Sequence, residues 1–183
     1  MKAAAASRRE NYDRVARSLH WLILLLLIVQ FTLAWTMPDV ERGTSPVGLI
    51  AWHLSIGTAI LFTMLVRLGW RLSHPAPPAP AHVPLAQQFV SRANHFLLYA
   101  ILVVLPLLGW ANASARGWRV ALFGLIPLPH LLPTRSAFGI SLGDIHGTTA
   151  LVLLGLVGLH VAGALYHRLV LRDRVLQRML PGS

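Results

Sequence analysis

The sequence predicts an all-α integral membrane protein, a single bundle of four transmembrane helices with both termini in the cytoplasm. Three observations predict it. Of 183 residues, 55% are hydrophobic and only 12% are charged, and mean hydropathy is +0.61. So few charges cannot cover a soluble surface of this size, which excludes an ordinary soluble enzyme and a disordered or fibrous chain. The apolar residues gather into four runs, each close to the ~20 residues that cross hydrocarbon as a helix. The basic residues gather on one side of those runs. With no cysteine in the chain, disulfides, thiolate metal sites, iron–sulfur clusters and covalent haem attachment are excluded as well.

The first run, Leu19 to Met37, is apolar apart from His20, Gln30 and two threonines, and predicts a helix over about 18–37. It is too long for the apolar segment of a cleaved signal, and Trp35-Thr36-Met37-Pro38 is a poor cleavage site, so it should stay as an anchor. The second, Val47 to Leu68, has His53 near its start and Arg67 at its end and predicts a helix over 47–70. The third, Phe96 to Ala113, contains Pro106 and predicts 94–113. The fourth, Thr148 to Leu171, holds His160 and, near its end, His167, and predicts 145–171. In lipid the backbone must satisfy its own hydrogen bonds, so runs of this length should be helical. Helices of a soluble bundle would show a polar face, and these scarcely do. Residues 38–46 form a short polar connection, and 73–84 a proline-rich, extended one. The longest loop, 114–144, carries Pro127, Pro129 and Pro133, and its Phe123-Gly124-Leu125-Ile126-Pro127 stretch is apolar enough to lie along the membrane interface.

Charge sets the orientation. Lys2, Arg8, Arg9, Arg14, Arg17, Arg67, Arg71, Arg92, Arg168, Arg172, Arg174 and Arg178 fall on one side of four crossings; Arg42, Arg116, Arg119 and Arg135 fall on the other. The positive-inside rule puts the richer side, with both termini, in the cytoplasm. The net charge of +10 is then topology and contact with anionic lipid rather than a nucleic-acid signal.

Nine histidines are many for this length, and four carry the chemistry. Ionisable residues at membrane depth are costly and usually functional. His146 and His160 are 14 residues apart, about 3.9 turns, so they share one face of the fourth helix with ~21 Å of axial rise between them. His20 opens the first helix at the depth of His160; His53 opens the second at the depth of His146. Two histidine pairs in an apolar bundle suit flat tetrapyrroles, each taking one imidazole on either face. A zinc site would want three or four ligands, and no acid or thiol lies at these depths. Gly57, Gly143, Gly147, Gly155, Gly158 and Gly163 have two readings: close approach of a porphyrin plane, or close helix packing. Arg14, Arg17, Arg67 and Arg71 inside, and Arg116 outside, are candidates for haem propionates, and equally for plain topology charges.

The chain resembles the bacterial cytochrome b561 family, the four-helix di-haem type. The likeness runs through Tyr12-Asp13-Arg14, Leu19-His20-Trp21, Trp52-His53, Arg67-Leu68-Gly69-Trp70-Arg71, Asn94-His95 to Tyr99, Phe123-Gly124-Leu125, Asp144-Ile145-His146, Leu159-His160-Val161-Ala162-Gly163-Ala164-Leu165-Tyr166-His167, and Arg172-Asp173 to Arg178-Met179-Leu180-Pro181. The 14-residue histidine spacing is shared with cytochrome b subunits of membrane formate dehydrogenases and nickel hydrogenases. The resemblance implies two non-covalent haems b, ligated by the pairs His20/His160 and His53/His146, in a bacterial inner membrane. It also implies oxidation of superoxide and reduction of ubiquinone.

On that expectation Arg116, Arg119 and Arg135 form a cationic periplasmic mouth that steers a small anion, or else sit at lipid phosphates or pair with Asp144. His167, seven residues after His160 on the same face, is the first candidate to serve a quinone with protons. His95, with Ser91 and Arg92 beside it, is the second. A quinone site at the periplasmic end stays open. Two other classes compete: an electron-transfer subunit passing electrons between a partner dehydrogenase and the quinone pool, and a haem-free transporter, which the scarcity of membrane acids disfavours.

Overall fold

The computed structural model describes residues 11–78 and 83–180. Lys2, Arg8 and Arg9 of the basic count, residues 79–82 of the proline-rich connection and Pro181 lie outside the described residues.

Among the described residues, four helices are long and apolar enough to cross a membrane. Helix α1 spans Arg14–Thr36, capped by Asp13, whose carboxylate accepts from the Ala16 N–H at 2.8 Å. Helix α2 spans Leu49–Ser73 and opens after Gly48, at φ 57°, a backbone region that favours glycine. Helix α3, Leu85–Ala115, starts about nine residues before the hydropathy signal. Its first turns are polar (Gln87, Gln88, Ser91, Arg92) and carry no apolar period, so only the bound at Pro84 marks the start. Helix α4, Ala137–Leu169, likewise begins about eight residues early. Ser136 caps it by accepting from Gly139 N–H at 3.2 Å. A serine cap inside a presumed loop is a signal that hydropathy ignores.

The helices pack in chain order, α1 on α2, α2 on α3, α3 on α4, the last pair most closely. A Cβ at Gly139 would collide with the Ala115 side chain, and one at Gly143 would come within 3.0 Å of Asn112, so small residues let these two backbones meet. One buried cluster fills the bundle centre: Ile23 and Leu27 of α1, Ile56, Ile60 and Met64 of α2, Leu98 and Leu102 of α3, Leu153 of α4. The outward residues, such as Leu25, Val66 and Leu151, are well over half exposed, as a lipid-facing surface requires.

Residues 114–144 are less irregular than the sequence suggests. Strands β1 (Ala121–Leu122) and β2 (Ile126–Pro127) pair antiparallel around a turn with both Phe123 (φ 51°) and Gly124 (φ 70°) left-handed. Phe123 lies on Trp52, ring centroids 6.2 Å apart. At the opposite end, a 3-10 turn (Gln177–Met179) closes over α1. There Arg17 donates to Leu180 O and the Trp21 indole to Met179 O, both at 2.8 Å.

Candidate functional site: two layers of paired histidines

Helix geometry places four histidines in two layers. At the end bearing the termini, the His20 and His160 ring centroids are 6.0 Å apart. At the hairpin end, those of His53 and His146 are 6.1 Å apart. An imidazole–metal bond of about 2 Å puts a ring centroid ~3 Å from the metal, so trans imidazoles on one metal lie ~6 Å apart. Both pairs have that separation, across helices (α1/α4, α2/α4) that do not neighbour in chain order. No group of three or more histidines and acids suited to a bare metal ion occurs among the described residues.

The hydrogen bonds fix the role of one nitrogen in each ring of the hairpin-end pair. His146 Nδ1 lies 2.9 Å from Leu105 O; a carbonyl only accepts, so Nδ1 carries the hydrogen and Nε2 keeps its lone pair. This is the usual outer partner of a ligating histidine. Gly109 makes it possible: a Cβ there would stand 3.0–3.1 Å from the His146 ring. His53 Nε2 lies 3.2 Å from the Gln30 amide nitrogen, which only donates, so His53 Nε2 is the acceptor and a ligating role would require Gln30 to give up that bond. His53 Nδ1 and Gln30 Oε1 are buried with no partner among the described residues, a cost the bare chain carries at this layer. Around His160, the His95 ring sits edge-on at 5.0 Å, so His95 flanks the termini-end pair, its Nδ1 donating to Ser91 O at 2.6 Å.

The glycines divide. Gly57 makes room for Gln30 at 3.2 Å and Gly143 for Asn112, both as packing. Gly147, Gly155, Gly158 and Gly163 have no described atom within 4 Å of a built Cβ. Between the layers stands Leu153, seven residues from each α4 histidine and 1% exposed, against Met64, also 1% exposed.

The arginines divide too. Arg67 is half-buried and tied down: Nε donates to Tyr99 OH (3.1 Å), Nη1 to Ala16 O (2.9 Å). Arg14 and Arg71 are exposed, and Arg17 holds the C-terminal segment. At the hairpin end Arg116 donates to Asn112 Oδ1 (3.1 Å) and Glu41 O (3.2 Å) and lies over Trp118. Arg119 and Arg135 are exposed. Arg119 lines a small pocket with Ala51, Leu54 and Ser55. Ala51 and Ser55 lie about 200° around α2 from His53, so this pocket faces away from the histidine layer. His167 Nδ1 meets Asp173 Oδ2 at 2.6 Å. The sequence reading missed Gln30, Gly109, Leu105 and Asp173. Gln30 was visible as a lone amide in an apolar run; the others required the α3–α4 register and the turn after α4.

Residues 11–182 match the family model described as prokaryotic cytochrome b561. The chain is 33% identical over 177 residues to the probable superoxide oxidase CybB of Yersinia pestis, covering 94% of this chain and 97% of that one. It is 27% identical to cytochrome b561 homolog 2 of Escherichia coli K12 (95% and 93% covered). Against cytochrome b562 of Cereibacter sphaeroides it is 28% identical (95% and 98% covered).

Proposed function

The chain belongs to the prokaryotic cytochrome b561 family, and on that premise we propose that it is a di-haem membrane oxidoreductase carrying electrons from periplasmic superoxide to ubiquinone. Membership makes it a multi-pass membrane electron-transfer protein that binds haem b. The observation that carries the finer reading is the pair of ~6 Å imidazole gaps, stacked 14 residues apart on α4. His20 and His160 would hold one haem, His53 and His146 the other. Bound there, haem b would supply reversible one-electron storage.

The chain's own residues do the rest. Leu105 O and Gly109 fix the His146 ring and its tautomer. The apolar layer of Leu153, Met64, Ile60 and Leu27 keeps water out of the space between the sites. The histidine layers stand ~21 Å apart in axial rise, and the termini lie in the cytoplasm of an inner-membrane protein. Arg119 and Arg135, exposed at the periplasmic surface, and Arg116 there raise the local concentration of a small anion. At the cytoplasmic end His167 delivers protons to the quinone. The balance is two superoxide ions, one ubiquinone and two protons giving two dioxygen molecules and one ubiquinol.

Support for the superoxide step is the likeness to the probable superoxide oxidase of Yersinia pestis, together with the exposed cations Arg119 and Arg135 at the hairpin end. The test is stopped-flow mixing of the purified, oxidised protein with superoxide. Rapid appearance of reduced-haem absorbance, followed by reoxidation on adding ubiquinone-1, is expected. No haem reduction by superoxide, with normal reduction by dithionite, would leave the electron-carrier subunit as the correct reading.

A further inference from the structure

We infer that Asp173 is a positioning residue for proton delivery: its carboxylate fixes the hydrogen of His167 on Nδ1, so that the proton passed to the quinone leaves from Nε2. This rests on the assignment of His167 to the quinone step. The observation is a built dyad rather than a surface ion pair. The His167–Asp173 distance is 2.6 Å, with the side chains only 18% and 8% exposed. The chain makes a sharp turn to form it. After α4 ends, Arg172 adopts φ 53°, a left-handed conformation that a non-glycine residue enters at a cost. Leu171 N–H bonds back to Tyr166 O and Asp173 N–H to His167 O, both at 3.1 Å. Asp173 Oδ1 accepts from Val175 N–H at 3.0 Å. In the orientation that satisfies both ends of its amide, Gln177 donates to Asp173 O (3.2 Å) and accepts from Arg168 (2.9 Å). The strained turn, the local bonds and the carboxylate all point at one ring nitrogen, and Nε2 is left for a ligand.

The register of the bundle puts that nitrogen in a suitable place. Asn112 opposite Gly143, Gly109 opposite His146 and His95 opposite His160 define an antiparallel α3–α4 ladder. Extended by two turns, it sets His167 level with Gln87 and Gln88. Gln87 Oε1 is a buried acceptor with no partner among the described residues, and a quinol hydroxyl is a donor of the kind it lacks.

The chemistry is ordinary acid catalysis. His167, doubly protonated, gives the Nε2 proton to a quinone oxygen as that oxygen gains electron density. The N–H bond breaks, an O–H bond forms, and the neutral ring keeps Nδ1–H on Asp173. Water on the cytoplasmic side restores the Nε2 proton, and a second electron and a second proton complete the quinol. Asp173→Asn preserves shape and can still accept from Val175 N–H. Its amide NH2, however, would donate to Nδ1 and lock the ring as Nε2–H, which can hold a quinone oxygen but cannot yield its proton.

The test uses the haem-loaded protein in detergent with ubiquinone-1, measuring quinone-dependent haem reoxidation, and 15N imidazole NMR of selectively labelled protein. Asp173→Asn should lower kcat on the order of 10²-fold, the lower range of a positioned acid, with KM changed less than threefold. It should also move the His167 hydrogen from Nδ1 to Nε2 in the NMR spectrum, with both haems retained. Asp173→Glu, which keeps the carboxylate, should recover part of kcat. His167→Ala should lose as much as the variant that combines His167→Ala with Asp173→Asn. If His167→Ala slows reoxidation while Asp173→Asn matches wild type, the positioning role is overturned and the quinone assignment stands. If His167→Ala has no effect, both fall. If Asp173→Asn leaves the hydrogen on Nδ1, the proposal fails whatever the kinetics.

Discussion

Gly109→Ala is the smallest change that reaches the hairpin-end layer without replacing one of its histidines. The new Cβ would stand 3.0 Å from His146 Cε1 and 3.1 Å from Nδ1, where carbon contacts settle at about 3.5–4.0 Å. The ring must therefore give way by about 0.5 Å. Gly109 is on α3, which packs closely on α4, so retreat of the backbone is blocked. The movement falls on the ring and on its 2.9 Å bond to Leu105 O. Overpacking of this kind costs about 1–3 kcal/mol, and disturbing the outer partner of a ligating histidine typically costs 10–100-fold in affinity; at 1.4 kcal/mol per decade the two agree. The assay is the pyridine haemochrome ratio of protein purified from haem-limited and haem-supplemented cells. We expect close to one haem per chain under limitation, rising towards two with supplementation, and loss confined to the site that His146→Ala empties. Two haems under both conditions with an unaltered spectrum would refute the assignment of His146 Nε2 as a ligand held by α3.

Other outcomes follow from the same geometry. His146→Ala should remove the hairpin-end haem and spare the other, and His20→Ala the reverse; the two variants should differ in absorption maximum and midpoint potential. Leu153→Ala should cost about 2–5 kcal/mol as a cavity at the bundle centre, read as lower thermal stability in detergent with both haems still bound. Burial raises the Asp13 carboxyl, but hydrogen bonds from Ala16 N–H, the Trp70 indole and Val15 N–H outweigh it and hold it below the usual carboxylate range. Its stabilising effect is then present above the ordinary carboxylate value of 3.8 and lost as pH falls through the lowered one, so the Tm gap between wild type and Asp13→Asn should hold at neutral pH and shrink only as pH falls below that ordinary value. Arg119→Gln and Arg135→Gln should slow superoxide capture and flatten its salt dependence with Tm unchanged, whereas Arg116→Gln should also lower Tm through its bonds to Asn112 and Glu41.

What was legible in the sequence was what repeats along one element. Apolar run length announced the four helices, and the interval between His146 and His160 announced two imidazoles on one helix face. Pairing by depth then followed from alternating helix direction. What was hidden depends on two elements meeting. Gly109 reads as an ordinary small residue near Pro106 until α4 is laid against α3. The polar start of α3 and the serine cap of α4 lie outside the hydrocarbon, where hydropathy is silent. Asp173 reads as one more charge in a basic tail because the turn at Arg172 (φ 53°) breaks the helical period that sequence spacing relies on.

The division of labour among the helices explains why α3 matters although it supplies neither member of the two histidine pairs. Helix α4 contributes an imidazole to both layers, so an error in its position would spoil two sites at once. It is held from behind along its length. Asn112 donates to Gly139 O and Ile140 O at 3.0 and 2.9 Å, Leu105 O takes the His146 hydrogen, and His95 abuts His160. Helices α1 and α2 each contribute one imidazole and share the central apolar cluster with α4 through Leu153. A fixed α3–α4 wall would, under the proposed assignment, hold constant the spacing between the two layers, which fourteen residues of one helix set.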